Sequence, residues 1–145
     1  MEDRPAPLLM DVTPHSLGIE TVNGLFQPLI RRNVPIPCEQ TRTFSTARDG
    51  QTEVVIHVFQ GENRMAAENQ ALGAVELGGL SPAPRGAVKI EVTFVLDSSG
   101  ILDIRAVDKA TGKTHATQIN LLGGLDEREH EAMRERHARL AGVEP

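Results

Sequence analysis

The chain has 145 residues, with 20 acidic against 15 basic side chains, a formal net charge of −5, four phenylalanines and neither tyrosine nor tryptophan. That balance argues against nucleic-acid binding, which draws on basic patches and stacking rings, while no apolar run approaches the roughly 20 residues of a membrane-spanning helix and the start Met1-Glu2-Asp3-Arg4-Pro5 lacks the basic-then-apolar form of a secretory signal. One soluble, cytoplasmic domain with a sizeable core is expected, since about 70% of the unfolded surface is buried at this length and the single cysteine, Cys38, leaves no intrachain disulfide.

Residues 1–10 carry two prolines around Ala6 and then Leu8, Leu9 and Met10, a composition that predicts an extended linker. Residues 15–32 predict a hairpin, with Leu17, Ile19 and Thr21 on one face, Gly18, Glu20 and Val22 on the other, and Asn23-Gly24 at the turn. His15 reads as a rim residue and Arg31-Arg32 as a solvated strand end. Asn33-Val34-Pro35-Ile36-Pro37 lacks two backbone donors and reads as a loop. A strand follows over residues 39–47. Arg48-Asp49-Gly50-Gln51 then predicts a tight turn into a second strand within residues 52–62, the two pairing as a hairpin. In that second strand Val54, Ile56 and Val58 share one face, and Glu53, Val55, His57 and Phe59 the other. Apolar residues on both faces predict a strand covered on both sides, by layers of the protein or by a partner.

Residues 65–69 have a composition that could start a helix, but the weak alternation of residues 71–77 into Gly78-Gly79 predicts a turn followed by a strand. After the proline loop Ser81-Pro82-Ala83-Pro84-Arg85-Gly86, the residues Val88, Ile90, Val92, Phe94 and Leu96 alternate with polar neighbours, the clearest strand pattern in the chain. Asp97-Ser98-Ser99-Gly100 turns this strand into residues 101–107, and Ala110-Thr111-Gly112-Lys113 turns those into residues 114–122. About eight short strands with turns at roughly 8–12-residue intervals predict a mainly β fold, a two-layer antiparallel β-sandwich. Gly123-Gly124 closes the β region, and Asp126 with Glu129 three residues on has the form of a helix N-cap, so a C-terminal helix is expected over residues 126–140. The domain organisation is thus a linker-like segment at 1–10, the sandwich at 11–122, and a first helix with its tail at 123–145.

Catalytic and metal chemistry finds no anchor in the sequence. His130-Glu131 resembles the start of a metalloprotease helix, but the position four residues after His130 is Arg134. His137 shares a helix face with His130 without a third ligand. Phosphate-binding and dinucleotide glycine motifs and a nucleophile elbow are absent, and Asp97-Ser98-Ser99-Gly100 lacks the alternating oxygens of a calcium loop. No catalytic residue and no metal are expected; the chain does not read as an enzyme.

Several of these stretches together resemble the peptide-binding β-domain of the seventy-kilodalton heat-shock chaperones, DnaK type. They are Leu8-Leu9-Met10-Asp11-Val12-Thr13-Pro14 with Ser16-Leu17-Gly18-Ile19-Glu20-Thr21, then Phe44-Ser45-Thr46-Ala47, Val54-Val55-Ile56-His57-Val58 and Gln60-Gly61-Glu62-Asn63-Arg64, and later Ser81-Pro82-Ala83-Pro84-Arg85-Gly86 and Ile90-Glu91-Val92-Thr93-Phe94. The resemblance continues through Gly100-Ile101-Leu102, Asp108-Lys109 and Gly112-Lys113, and runs from Leu8 to about Met133 without an insertion or deletion. It implies a peptide groove lined by Ile19, Thr21, Phe44, Val54, Ile56 and Ile90, backbone contact at Ser45, and Val22 and Ala47 arched over the peptide. Asp49 and Arg85 fall where the family latches its lid. Leu8, Leu9, Met10 and Asp11 fall in the linker to an ATPase domain, although Pro5-Ala6-Pro7 departs from the usual run. The resemblance further implies no cofactor in this chain, ATP acting only in a linked nucleotide-binding domain. As partners it implies hydrophobic peptide segments of unfolded proteins and, in a longer protein, the chain's own ATPase domain and J-domain co-chaperones.

The function expected is that of a molecular chaperone module holding short extended hydrophobic segments by backbone hydrogen bonds and one apolar pocket. The alternative is a β-sandwich docking or scaffold domain without peptide-binding activity. Every implied pocket position is apolar or small, which favours the binder. Because the sequence stops at Pro145, the long covering helix is expected to be absent and bound peptide to exchange quickly. An open groove is also expected to take an apolar segment of a neighbouring copy, either Leu8, Leu9 and Met10 or Leu140, Ala141, Gly142 and Val143, giving head-to-tail self-association.

Overall fold

Period-two alternation is clearest over Lys89–Leu96 and Ile101–Asp108 of the computed structural model, which describes residues 11–122 and 143–144. In chain order the strands are β1 (Leu17–Thr21), β2 (Leu25–Ile30), β3 (Cys38–Thr46), β4 (Val54–Gln60), β5 (Gln70–Leu77), β6 (Lys89–Leu96), β7 (Ile101–Asp108), β8 (Thr114–Asn120) and the two-residue β9 (Val143–Glu144). β6 follows the expected alternation, with Ile90, Val92, Phe94 and Leu96 fully buried and Lys89 and Val95 exposed. The linker-like residues Leu8, Leu9 and Met10 and the expected helix over 126–140 lie outside the described residues. Asp11 is exposed, and its carbonyl accepts the Ile36 N–H at 3.1 Å.

Hydrogen bonding runs through the order β5-β4-β1-β9-β3-β6-β7-β8, with β2 paired to β1. Two half-sheets result, β2-β1-β4-β5 and β3-β6-β7-β8, and β5 comes close to β8 at the far side, so the sandwich is nearly closed. Between them lies one apolar cluster that includes Leu17, Ile30, Phe44, Phe94, Leu102 and Ile104. β4 is covered on both faces: Val54, Ile56 and Val58 are fully buried, and so are Val55 and Phe59. Burial also pushes the half-buried Cys38 thiol up, which keeps it protonated at neutral pH.

The first hairpin forms as the sequence suggests. β1 and β2 pair antiparallel, and Asn23 and Gly24 both take the left-handed backbone, φ 66° and 70°, that a tight hairpin turn demands. At Gly18 the β2 backbone comes so close that a Cβ would collide with the Gln27 carbonyl. The second expected hairpin does not form. β3 pairs with β6 and β9, and β4 with β1 and β5, so residues 47–53 cross from one half-sheet to the other. Gly50 does adopt the turn backbone, with φ 70°, but its N–H bonds to the Ala83 carbonyl at 2.8 Å instead of closing a ladder. Local turn chemistry was satisfied; the pairing was decided by the distant strands that bury each face.

The start of β1 is tied to the end of β4 by Glu62, whose carboxylate accepts the Ser16 N–H at 2.9 Å and the Ser16 hydroxyl at 3.0 Å. Desolvation pushes that carboxyl up, but the Ser16 bonds together with Arg32 and His15 outweigh it and hold it below the ordinary range.

Candidate functional site: a seam between the half-sheets

β1 and β3 each offer an edge that their long-range partners use only in part. β4 pairs with β1 along Leu17, Gly18 and Ile19 and then diverges. β6 runs beside β3 from Cys38 to Ser45, leaving the opposite edge of β3 to other partners. β9 lies in the gap: Val143 pairs with Thr21 in parallel, while Glu144 pairs with Ser45 and Val143 with Thr46, both antiparallel. A stretch of the chain has thus entered as an extra strand, held by main-chain ladders on both sides, the geometry of β-strand addition.

The side chain of Val143 is fully buried and belongs to the same apolar cluster as Ile19, Phe44, Val54, Ile56 and Ile90. Those five residues are the apolar positions at which the resemblance implies a pocket, and the fold buries them in one cluster from β1, β3, β4 and β6. Burying a side chain of this size is worth about 2 kcal/mol. Thr21 and Ser45 are buried at the strand edges that flank β9. Val22 and Ala47, half-buried, each stand one residue beyond a position paired with Val143.

One rim of the seam is made by two loops sewn together. The Asp49 carboxylate accepts the Arg85 N–H at 2.7 Å. Gly86 donates to the Thr46 carbonyl at 3.0 Å, and Thr46 donates to the Val88 carbonyl at 3.1 Å. Gln51, buried, accepts the N–H groups of Ala47 and Arg48 at 2.8 and 3.2 Å and donates to the Glu53 carbonyl at 2.8 Å. The Arg85 guanidinium faces into the seam: its Nε lies 3.2 and 3.0 Å from the two Glu144 carboxylate oxygens, and its Nη2 also bonds Oε2. The hydrogen bonds from Arg85 hold the Glu144 carboxyl below its usual range, and the carboxylate in turn raises the Arg85 guanidinium.

Asp49 and Arg85, both expected at a lid latch, bond to each other through the Arg85 backbone N–H, while the Arg85 guanidinium bonds Glu144. Sequence reasoning missed Gln51, whose role depends on a loop path that local turn chemistry does not reveal. It also missed Thr46, where strand register decides. Val143, expected as part of the second candidate segment for a neighbouring copy, pairs here with Thr21 and Thr46 of its own chain.

Thr46 carries an orphaned group. Its hydroxyl is buried and has no hydrogen-bond partner among the described residues. An unsatisfied buried hydroxyl is costly, so Thr46→Val should stabilise the protein by about 1 kcal/mol, read as a higher urea midpoint at unchanged slope. A lower midpoint would mean that the hydroxyl has a partner.

The family model described as Hsp70 protein matches residues 3–144. The chain is 52% identical over 126 residues to the chaperone protein DnaK of Anaplasma marginale (strain St. Maries), an alignment that covers 87% of this chain and 20% of that protein. The chain therefore spans about a fifth of the length of the curated relative it matches.

Proposed function

The chain belongs to the Hsp70 family, and from that premise we propose that its seam is a binding site for extended hydrophobic segments of unfolded proteins, the client-holding part of a chaperone. The observation that carries the reading is β9, a short extended segment bonded by its main chain on both sides with one apolar side chain fully buried. Main-chain ladders read any extended backbone, so the site tolerates many sequences; the pocket of Ile19, Phe44, Val54, Ile56 and Ile90 adds a preference for one apolar side chain. Backbone contact falls to Thr21 and Ser45, and Val22 and Ala47 close over the occupant. No bond is made or broken in this cycle of capture and release. ATP, a linked ATPase domain reached through Leu8, Leu9, Met10 and Asp11, and J-domain partners belong to the longer family proteins in this reading.

Fluorescence anisotropy with a labelled leucine-rich peptide tests it. Binding should saturate, and unlabelled peptide should reverse it. A titration that stays flat would leave the seam as a fixed structural joint and favour the scaffold alternative.

A further inference from the structure

β3 changes character along its length. Phe44 faces the core and is buried, but Arg42 and Gln40, on the same face nearer the start of the strand, are exposed, although their register partners on β6, Val92 and Phe94, are fully buried. The sandwich opens there into a cleft of about 310 Å³ between the end of β2 and the first half of β3, at the lower end of the roughly 300–1,000 Å³ of small-molecule sites. Its apolar side is Pro28, Leu29 and Val34, and its polar side is Arg31, Gln40 and Arg42. Among the described residues neither guanidinium has an ion-pair partner. The acidic residues of β3 and β6, Glu39 and Glu91, alternate onto the outer face, opposite Val95 and Thr43.

The main chain adds a donor. Thr46 directs its N–H to the Val88 carbonyl and accepts the Gly86 N–H, both on the β6 side, so by antiparallel alternation Thr41 directs its own N–H away from β6. The Thr41 hydroxyl is engaged on the outer face by the Thr93 hydroxyl at 2.9 Å, and Thr41 lines the cleft with its backbone.

We propose that this cleft binds a small amphipathic anion, a carboxylate on a short apolar body, with the charge held by Arg31 and Arg42 and the body laid on Pro28, Leu29 and Val34. A guanidinium fork matches a carboxylate in shape as well as charge. Two like charges lining one small cleft repel each other, and a bound anion relieves that repulsion. The site is separate from the seam: Thr41 lies about 14 Å along β3 from Ser45 at roughly 3.4 Å per residue. The proposal therefore stands or falls independently of the reading of the seam as a peptide site.

The test titrates octanoate into the full chain and follows methyl shifts by NMR, with octanol, octylammonium and inorganic phosphate as comparison ligands. Saturable shifts should centre on Leu29 and Val34. Octanoate should bind about fivefold more tightly than octanol, the scale of an exposed charge pair, although octanol is the more hydrophobic of the two, and phosphate should bind more weakly than octanoate. Arg42→Glu, an exposed substitution, should erase the preference for octanoate and make octylammonium the better ligand, a gain that a misfolded variant could not produce. Octanol or phosphate binding as tightly as octanoate would overturn the proposal, as would shifts that never saturate or that are confined to Val54 and Ile90 of the seam. A preference for octanoate that survives in the double variant Arg31→Ala, Arg42→Ala would overturn it as well.

Discussion

Val54→Phe should weaken binding of a labelled leucine-rich peptide by roughly 30-fold while the protein remains folded. Val54 opens β4, is fully buried and belongs to the cluster that receives Val143. A ring at this position occupies the space that an incoming apolar side chain needs, so the occupant loses about 2 kcal/mol of burial, and each 1.4 kcal/mol is tenfold in affinity. The ring itself has somewhere to go. With Val143 displaced, the pocket that valine vacates accommodates it, which limits the overpacking penalty to the low end of about 1–3 kcal/mol. Anisotropy titrations paired with a thermal melt by circular dichroism separate the two effects. A folded variant with undiminished affinity would remove Val54 from the pocket and with it the assignment of the seam.

Phe94→Ala should do the reverse, lowering stability by roughly 4 kcal/mol and leaving the affinity of the folded fraction near its original value. Phe94 is fully buried in the middle of β6, between Gln40 of β3 and Ile104 of β7. Truncating a buried phenylalanine removes its burial and leaves a cavity that close-packed neighbours fill only in part. Its ladder partner Gln40 lies about 17 Å along β3 from Ser45 at roughly 3.4 Å per residue, out of reach of the seam. Urea unfolding should show a midpoint lowered by about 2 M for a slope near 2 kcal/mol/M. A loss below 1 kcal/mol would mean that the two half-sheets do not share the core that the structure describes. Together the two substitutions separate the proposed peptide pocket from the core that holds the fold.

The elements that the sequence disclosed are those whose determinants are local. Asn23-Gly24 specifies its turn because both residues must take positive φ, and the alternation from Ile90 to Leu96 specifies a half-buried strand without reference to any other segment. Apolar residues on both faces of β4 announced that both would be covered, and Val55 and Phe59 are indeed buried alongside Val54, Ile56 and Val58. Asp49-Gly50 misled for an instructive reason. The glycine makes its turn, yet ladder partners are chosen by burial across the whole sandwich, so β3 and β4 part company there. The apolar character of Ile19, Phe44, Val54, Ile56 and Ile90 is legible in the sequence, and all five are buried in one cluster; a peptide pocket at these positions is what the family resemblance implies. The ladder between Thr46 and Val143 is not legible there, since register between segments almost a hundred positions apart leaves no local trace. The same holds for the Arg85–Glu144 pair: the resemblance put Arg85 at a lid latch, but nothing local names Glu144 as its partner.

The mixed neighbourhood of β9 bears on the direction in which a segment can be held. A strand entering the seam as Val143–Glu144 does runs parallel to β1 and antiparallel to β3. Turned end for end, it would meet β1 antiparallel and β3 parallel, exchanging the two ladder types without losing either. The main chain alone is therefore nearly palindromic here, with one parallel and one antiparallel neighbour whichever way a strand runs. What breaks that symmetry is one-sided: the Arg85 guanidinium lies toward one end of β9, where it meets the carboxylate of the residue that follows buried Val143.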